Sequence, residues 1–287
     1  GEVWYNSTSA TVKYFGVQAA AWATGGNMGT ARLNLAGAGT QDAALAFGGG
    51  APNSAATEEY NGTAWTGGGT MTTARYALAG CGLQTAALGF GGYVGPAGGL
   101  QNATEEYNGT AWTGGGNLGT ARYATMGAGT QTAGLNFGGG FTAQTTTEEY
   151  NGTAWTAGGT MGTARTYAAG CGTQTAGLAI GGLSPSTTTA TEEYNGTSWT
   201  AGGALPVAKN RLSAAGTQTA ALGFGGKAPS TTATTEKYDG SSWTSTTSMS
   251  TARNALAGAG TQTSALAFGG ETPPATVATE EFTGAGP

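Results

Sequence analysis

The groups that could move a proton or hold an anion in this 287-residue chain are few and periodic. Eleven of the thirteen glutamates sit in a recurring Thr-Glu-Glu string or its variant Thr-Glu-Lys, and five of the six arginines recur at one other phase. Paired carboxylates can divide the acid and base work of glycoside hydrolysis. That division needs one carboxyl whose pKa is raised above its neighbour's, and nothing in near-identical copies breaks the symmetry. The expected role is therefore structural. The cations Arg32, Arg75, Arg122, Arg165, Lys209 and Arg253 should form ion pairs with the glutamates of these strings, Glu59, Glu106, Glu149 and Glu193 among them. The competing reading is a six-fold cationic ring at a channel mouth, holding an anionic ligand.

Histidine is absent, which removes the commonest general base, metal ligand and pH switch together. Cys81 and Cys171 occupy one repeat position, filled elsewhere by Ala38, Ala128, Ala215 and Ala259, so they read as small buried packing residues. No metal, cofactor or catalytic residue is expected, and the chain reads as a non-enzyme. The Asn-x-Thr triplets at Asn6, Asn61, Asn102, Asn108, Asn151 and Asn195 match a glycosylation pattern, but four of them lie in the hairpin turn of the repeat. Asp239 begins no complete sialidase-type box.

These residues are carried by an internal repeat. The string TEEY ends at Tyr60, Tyr107, Tyr150 and Tyr194, then returns as TEKY at Tyr238 and TEEF at Phe282, in steps of 47, 43, 44, 44 and 44 residues. Five residues beyond each tyrosine stand Trp65, Trp112, Trp155, Trp199 and Trp243, with Trp22 in phase ahead of them. An aromatic or aliphatic residue followed by Gly-Gly recurs at Phe47, Phe90, Phe137, Ile180, Phe224 and Phe268. Each unit divides into four short apolar segments, too short for helices, which predicts four-stranded blades. Asn-Gly between the third and fourth segments predicts a two-residue type I′ hairpin. The first segment, nearly all Gly, Ala and Cys, suits the innermost strand, where six blades converge.

Composition bounds the function. With 56 glycines and 9% charged residues the chain is unlike an ordinary enzyme, and only ten Lys and Arg are scattered along it. Together with a net charge of −5, that disfavours nucleic acid as a partner. No run of 18 apolar residues predicts membrane insertion, and the first ten residues lack signal-peptide character. A first residue of Gly in place of Met reads as a processed or truncated start.

A basic residue opening the first strand, Gly-Gly closing the second, then Glu-x-Tyr and a Trp at fixed distance resemble the kelch repeat. The resemblance covers residues 22–282 and implies an all-β, six-bladed β-propeller of four-stranded kelch-type blades. It also implies that the loops after the second and fourth strands share one face. The last unit lacks its Trp strand, so the N-terminal strand near Trp22 should close the ring against the C-terminal TEEF strand. The expected division is a lead-in segment over 1–21 and the propeller over 22–287. Thr11–Tyr14, TVKY, is an imperfect extra copy that could compete with TEEF for its slot, or a lead-in from a preceding domain or partner. The segment YNSTSATVKY and the Gly-, Thr- and Ala-rich units also resemble tail or structural proteins of marine bacteriophages.

Function should reside where the units differ. The residues after Gly-Gly vary as Gly50, Tyr93, Gly140, Leu183, Lys227 and Glu271, and those just after the strand-opening cation as Asn34, Tyr76, Tyr123, Tyr167, Arg211 and Asn254. Tyr76, Tyr93, Tyr123, Tyr167 and Arg211 are the candidate ligand-binding set. Three classes follow: a virion or cell-surface adhesion module binding a host glycan, a receptor or other virion proteins; a kelch scaffold for a protein partner; and an enzyme. The last is disfavoured because the galactose-oxidase branch of kelch propellers needs copper-binding histidines.

Overall fold

A computed structural model describes residues 3–6, 11–14, 19–50, 52–96 and 98–285. Six four-stranded antiparallel sheets form the blades of an all-β propeller, five of them running outward in chain order from the channel. Blade 1 comprises Ala36–Gly39, Ala44–Phe47, Thr57–Tyr60 and Trp65–Gly67. Blade 2 comprises Ala79–Leu83, Ala86–Phe90, Thr104–Tyr107 and Trp112–Gly114, and blade 3 Met126–Gly129, Gly134–Phe137, Thr147–Tyr150 and Trp155–Ala157. Blade 4 follows with Ala169–Thr173, Ala176–Ile180, Thr191–Tyr194 and Trp199–Ala201, and blade 5 with Ser213–Thr217, Ala220–Phe224, Thr235–Tyr238 and Trp243–Thr246.

Blade 6 is assembled from both ends of the chain. Ala257–Gly260, Ser264–Phe268 and Thr279–Thr283 take Ala21–Thr24 as their outermost strand, with Trp22 opposite Phe282. This closes the ring as the incomplete last unit requires and leaves no blade a strand short. Thr11–Tyr14 does not compete for the slot: it pairs with Val3–Asn6 in a separate two-stranded sheet.

The Asn-Gly hairpins form, but with a different turn. Tyr107 pairs with Trp112 across a four-residue loop in which Gly109 has positive φ and Asn108 does not, so the turn is not type I′. Asn108 Oδ1 instead accepts the amides of Thr110 and Ala111 at 3.0 and 2.9 Å, as Asn61, Asn151, Asn195 and Asp239 do in their own loops. The side chain caps the loop from below, and two positive φ values are not needed.

The apolar core lies between blades. One cluster joins Ala36, Ala38, Leu45 and Phe47 of blade 1 to Leu78, Ala87, Tyr107 and Trp112 of blade 2, with Met71 beneath. The innermost strands line the channel, and their glycines let the preceding blade's aromatic ring approach. A Cβ built on Gly80 would lie 2.4 Å from Phe47 Cζ, and one on Gly258 would lie 2.5 Å from Phe224 Cζ. Five units carry Gly here and one carries Ala214; five carry the facing Phe and one carries Ile180, on the blade before Ala214. The two exceptions meet in one cluster, the branched aliphatic leaving room for the added methyl. A second paired exception lies inside blade 3. Asn136, wholly buried where other blades have Ala or Gly, is bonded by Thr125 Oγ1, where four of the other five blades have Leu.

At one end of the channel the backbone closes a ring. Asn34, Ala77, Ala124, Tyr167, Arg211 and Ala255 all have φ between 49° and 55°. Each donates its N–H to the carbonyl of its counterpart in the preceding blade, at 2.7–3.1 Å, and the six bonds return to their start.

The Gly80→Ala variant is expected to lose about 1–3 kcal/mol of stability by overpacking. Adding Phe47→Ile, which recreates the Ile180–Ala214 contact, should recover much of the loss. Thermal denaturation of the single and double variants checks both outcomes.

Candidate functional site

The TEEY string decomposes letter by letter, because alternate side chains of a strand point to opposite faces. Thr57 and Glu59 face blade 2: Thr57 Oγ1 accepts from Trp112 Nε1 at 2.8 Å, and Glu59 Oε1 accepts from Tyr107 Oη at 2.6 Å. Glu58 and Tyr60 face the other way, Glu58 toward Arg32 of its own blade and Tyr60 toward Glu281 of blade 6. The Trp-to-Thr bond recurs at all six interfaces.

The ion pairs consequently use the first glutamate of each string. Arg32 pairs with Glu58 at 2.7 Å, Arg75 with Glu105 at 3.0 Å and Arg253 with Glu280 at 2.9 Å. Arg122–Glu148, Arg165–Glu192 and Lys209–Glu236 repeat the arrangement. Glu59, Glu106, Glu149 and Glu193, expected to meet these cations, instead accept from the tyrosines of the following blades. A one-residue step along a strand carries a side chain to the opposite face, and that step is the whole difference. The cations are buried; the five arginines also bind backbone carbonyls, as Arg32 Nη1 does with Gly48 and Ala56, and Lys209 binds the Thr234 hydroxyl, so no cationic ring faces the channel mouth.

The free oxygen of each pairing carboxylate accepts a backbone amide three residues before the arginine, from Gly29, Thr72, Gly119, Gly162 or Ser250. In blade 5 that position is Pro206, which has no N–H, and there alone the cation is Lys209. Lys237 and Phe282 are a further joint exception. Lys237 replaces the glutamate that the next blade's tyrosine would bind, and that tyrosine is Phe282, with Nζ 5.6 Å from its ring centre. A glutamine missed in the sequence completes each interface: Gln84 Nε2 donates to the carbonyls of Ala44 and Tyr60, and Gln41, Gln131, Gln174, Gln218 and Gln262 do the same elsewhere. Its recurrence in Gly-x-Gln was visible as a pattern.

Cys81 and Cys171 are buried free thiols, pushed up to about 12 by burial, and line the channel with their alanine counterparts.

The variable residues meet around the mouth, on one face. Tyr76 and Tyr93 bridge backbone to backbone and meet edge to face at 5.6 Å between ring centres. Tyr93 then contacts Tyr123 at 5.9 Å and Phe141 at 5.5 Å; Phe141 contacts Tyr123 at 4.7 Å, and Tyr123 meets Tyr167 at 5.8 Å. The Arg211 guanidinium lies 4.5 Å from the Tyr167 ring centre and ends the run. The five candidate residues are thus brought together across blades 2 to 5. Phe141, the most exposed large apolar side chain among the described residues at 65%, was not foreseen, since no repeat anchor marks its loop.

The candidates occupy two kinds of position. Tyr167 and Arg211 belong to the backbone ring at the mouth, while Tyr76 and Tyr123 precede it by one residue. Burial raises the phenol pKa of Tyr167, with the neighbouring Tyr123 adding to the effect, and burial likewise raises that of Tyr76. Both are neutral donors at physiological pH. Blades 6 and 1 present Asn254, Glu271, Leu33 and Gly50 at the matching positions and carry no aromatic there.

No protein-family model matches the chain, and no curated protein matches it in sequence.

Arg165→Ala strands Glu192 in the interior and is expected to cost about 3–5 kcal/mol, whereas Arg211→Ala, at the partly exposed mouth, should cost far less. Denaturant unfolding of the two variants compares them. The interface tyrosines add a pH dependence. Tyr60, Tyr107, Tyr150 and Tyr238 are pushed from 10.0 up to about 12, first by burial and then by their glutamate partners. A pKa raised in the folded state contributes stability below the unfolded value and loses it above. Stability should therefore fall as pH rises from 10 towards 12, with tyrosinate absorbance appearing in step with unfolding. Ionisation of these four interface tyrosines near pH 10 without loss of fold would contradict a stabilising role for their contacts with glutamate.

Proposed function

We propose that this propeller is a non-enzymatic binding module that holds a host-surface glycan or protein receptor through the face carrying Tyr76, Tyr93, Tyr123, Tyr167 and Arg211. The observation that carries the reading is the connected run of five aromatic rings from Tyr76 to Tyr167 on one side of a ring whose blade-to-blade contacts otherwise repeat with only a few paired exceptions. Packing selects likeness among blades, while a ligand without six-fold symmetry requires particular blades to differ. Tyrosine is well suited to such contact, because its ring stacks on a sugar face or a protein side chain at low entropic cost and its hydroxyl serves a polar neighbour. The glutamates that acid–base hydrolysis would need are bound by cations and tyrosines, which supports binding without catalysis.

The likeness in wording to tail or structural proteins of marine bacteriophages, the scarcity of lysine and the Thr- and Gly-rich composition support a place on a virion or outside the cell, with other virion proteins as additional partners. A kelch scaffold for protein–protein contact is the second reading, favoured by Phe141, whose exposed ring would serve as an apolar anchor.

The test is a glycan array and a host-cell binding assay with the wild type, Tyr93→Ala and Tyr123→Ala. Each variant should weaken binding about ten-fold, equivalent to about 1.4 kcal/mol. Unchanged binding in both, or a ligand seated on the opposite face, would defeat the assignment. Recovery of one protein partner with no glycan signal would favour the scaffold.

A further inference from the structure

Beside the aromatic run the same face opens into a cleft of about 400 Å³ between blades 4, 5 and 6. Its walls include Asn210, Arg211, Lys227, Asn254 and Glu271. The size is that of a small-ligand site, and the lining is polar where blades 2 and 3 present rings. Three cations among the residues with described side chains stand outside the six ion pairs: Arg211, Lys227 and Lys237. Two of the three line this cleft, in a chain whose net charge is −5. The Arg211 guanidinium carbon lies over the Tyr167 ring, 4.5 Å from its centre, a cation–π contact that restrains the side chain at the cleft. Asn210 and Asn254 are buried, each donating Nδ2 to a loop threonine, at 2.9 Å to Thr187 and 2.8 Å to Thr231. The cleft's floor is thereby set before any ligand arrives, and Asn254 Oδ1 has no partner.

We propose that this cleft is the anion-holding half of the binding face, so that the ligand class is an acidic oligosaccharide. A carboxylate or sulfate of one sugar unit lies between Arg211 and Lys227, while the following units extend over Tyr167 and Tyr123. Glu271 tempers the attraction and accepts from ligand hydroxyls. The inference rests on the glycan reading above and adds the charge of the ligand to it.

Three probes separate the sources of charge: oligogalacturonate for carboxylates, a sulfated galactan oligomer for sulfates, and an uncharged galactan oligomer as reference. The wild type should bind one acidic probe at least about ten-fold more tightly than the neutral one, with affinity falling as salt rises. Lys227→Gln, at an exposed site, should remove most of that preference without changing thermal stability, and Glu271→Gln should strengthen acidic binding. Tyr123→Ala should weaken acidic and neutral probes alike. Neutral and acidic probes bound equally, with Tyr123 still required, would overturn the anion cleft and leave the glycan face standing. Binding of no saccharide would overturn both.

Discussion

Each blade carries its Trp, Tyr and Gln on the face turned to the blade before it, so no blade can satisfy these groups from within. The indole and glutamine amide donors, and the phenol donors of the TEEY strings, find their acceptors on a neighbouring blade. An isolated unit would expose an apolar face and leave its Thr and Glu acceptors without donors. That dependence makes ring closure a condition of the fold. An open array would end in one blade with unused donors and another with unused acceptors. The strand Ala21–Thr24 removes both ends at once, since Trp22 serves blade 6 as the other tryptophans serve theirs.

Six copies of one interface also act as an internal record of which residues depend on one another. Ile180 faces Ala214, Lys237 faces Phe282, Pro206 accompanies Lys209, and Thr125 bonds Asn136. In three cases a departure from the repeat is answered by a second at the position it touches, and in the blade of Pro206 and Lys209 both departures fall at positions that elsewhere bind one glutamate. The residues around the channel mouth behave differently. Tyr76, Tyr93, Phe141, Tyr123 and Tyr167 each add a ring to the same surface, and Arg211 caps it. Interior exceptions restore packing, whereas exceptions on this face accumulate into a surface of one chemical character.

The six sets of anchors made the propeller and its closure legible in the sequence, because periodicity survives without knowledge of any contact. Which glutamate of a pair meets the arginine was not legible. Glu58 and Glu59 are adjacent in sequence and opposite in space, and only the register of Thr57–Tyr60 against its neighbours decides between them. The same single-residue step separates Tyr76 and Tyr123 from Tyr167 and Arg211, which the sequence presents as one set. The glutamine of each interface was visible as a repeat, but its carbonyl partners lie on another blade, 24 and 40–44 residues back or across the chain ends. Phe141 belongs to a loop whose position only the fold supplies.

The ring of six backbone hydrogen bonds at the mouth has an electrostatic consequence. Peptide dipoles aligned in a helix add along its axis and leave partial charges at two termini. Dipoles laid head to tail around a circle have no terminus, and their tangential components sum to zero. Around the circle, therefore, the ring has no positive or negative end of the kind a helix terminus presents. Of the six side chains borne by the ring, those of Asn34, Ala77, Ala124, Tyr167 and Ala255 are neutral. Arg211 is the one charged member of the ring, so it gives a near-symmetric circle of backbone an off-centre polarity, next to Lys227 and Glu271 of the adjoining cleft.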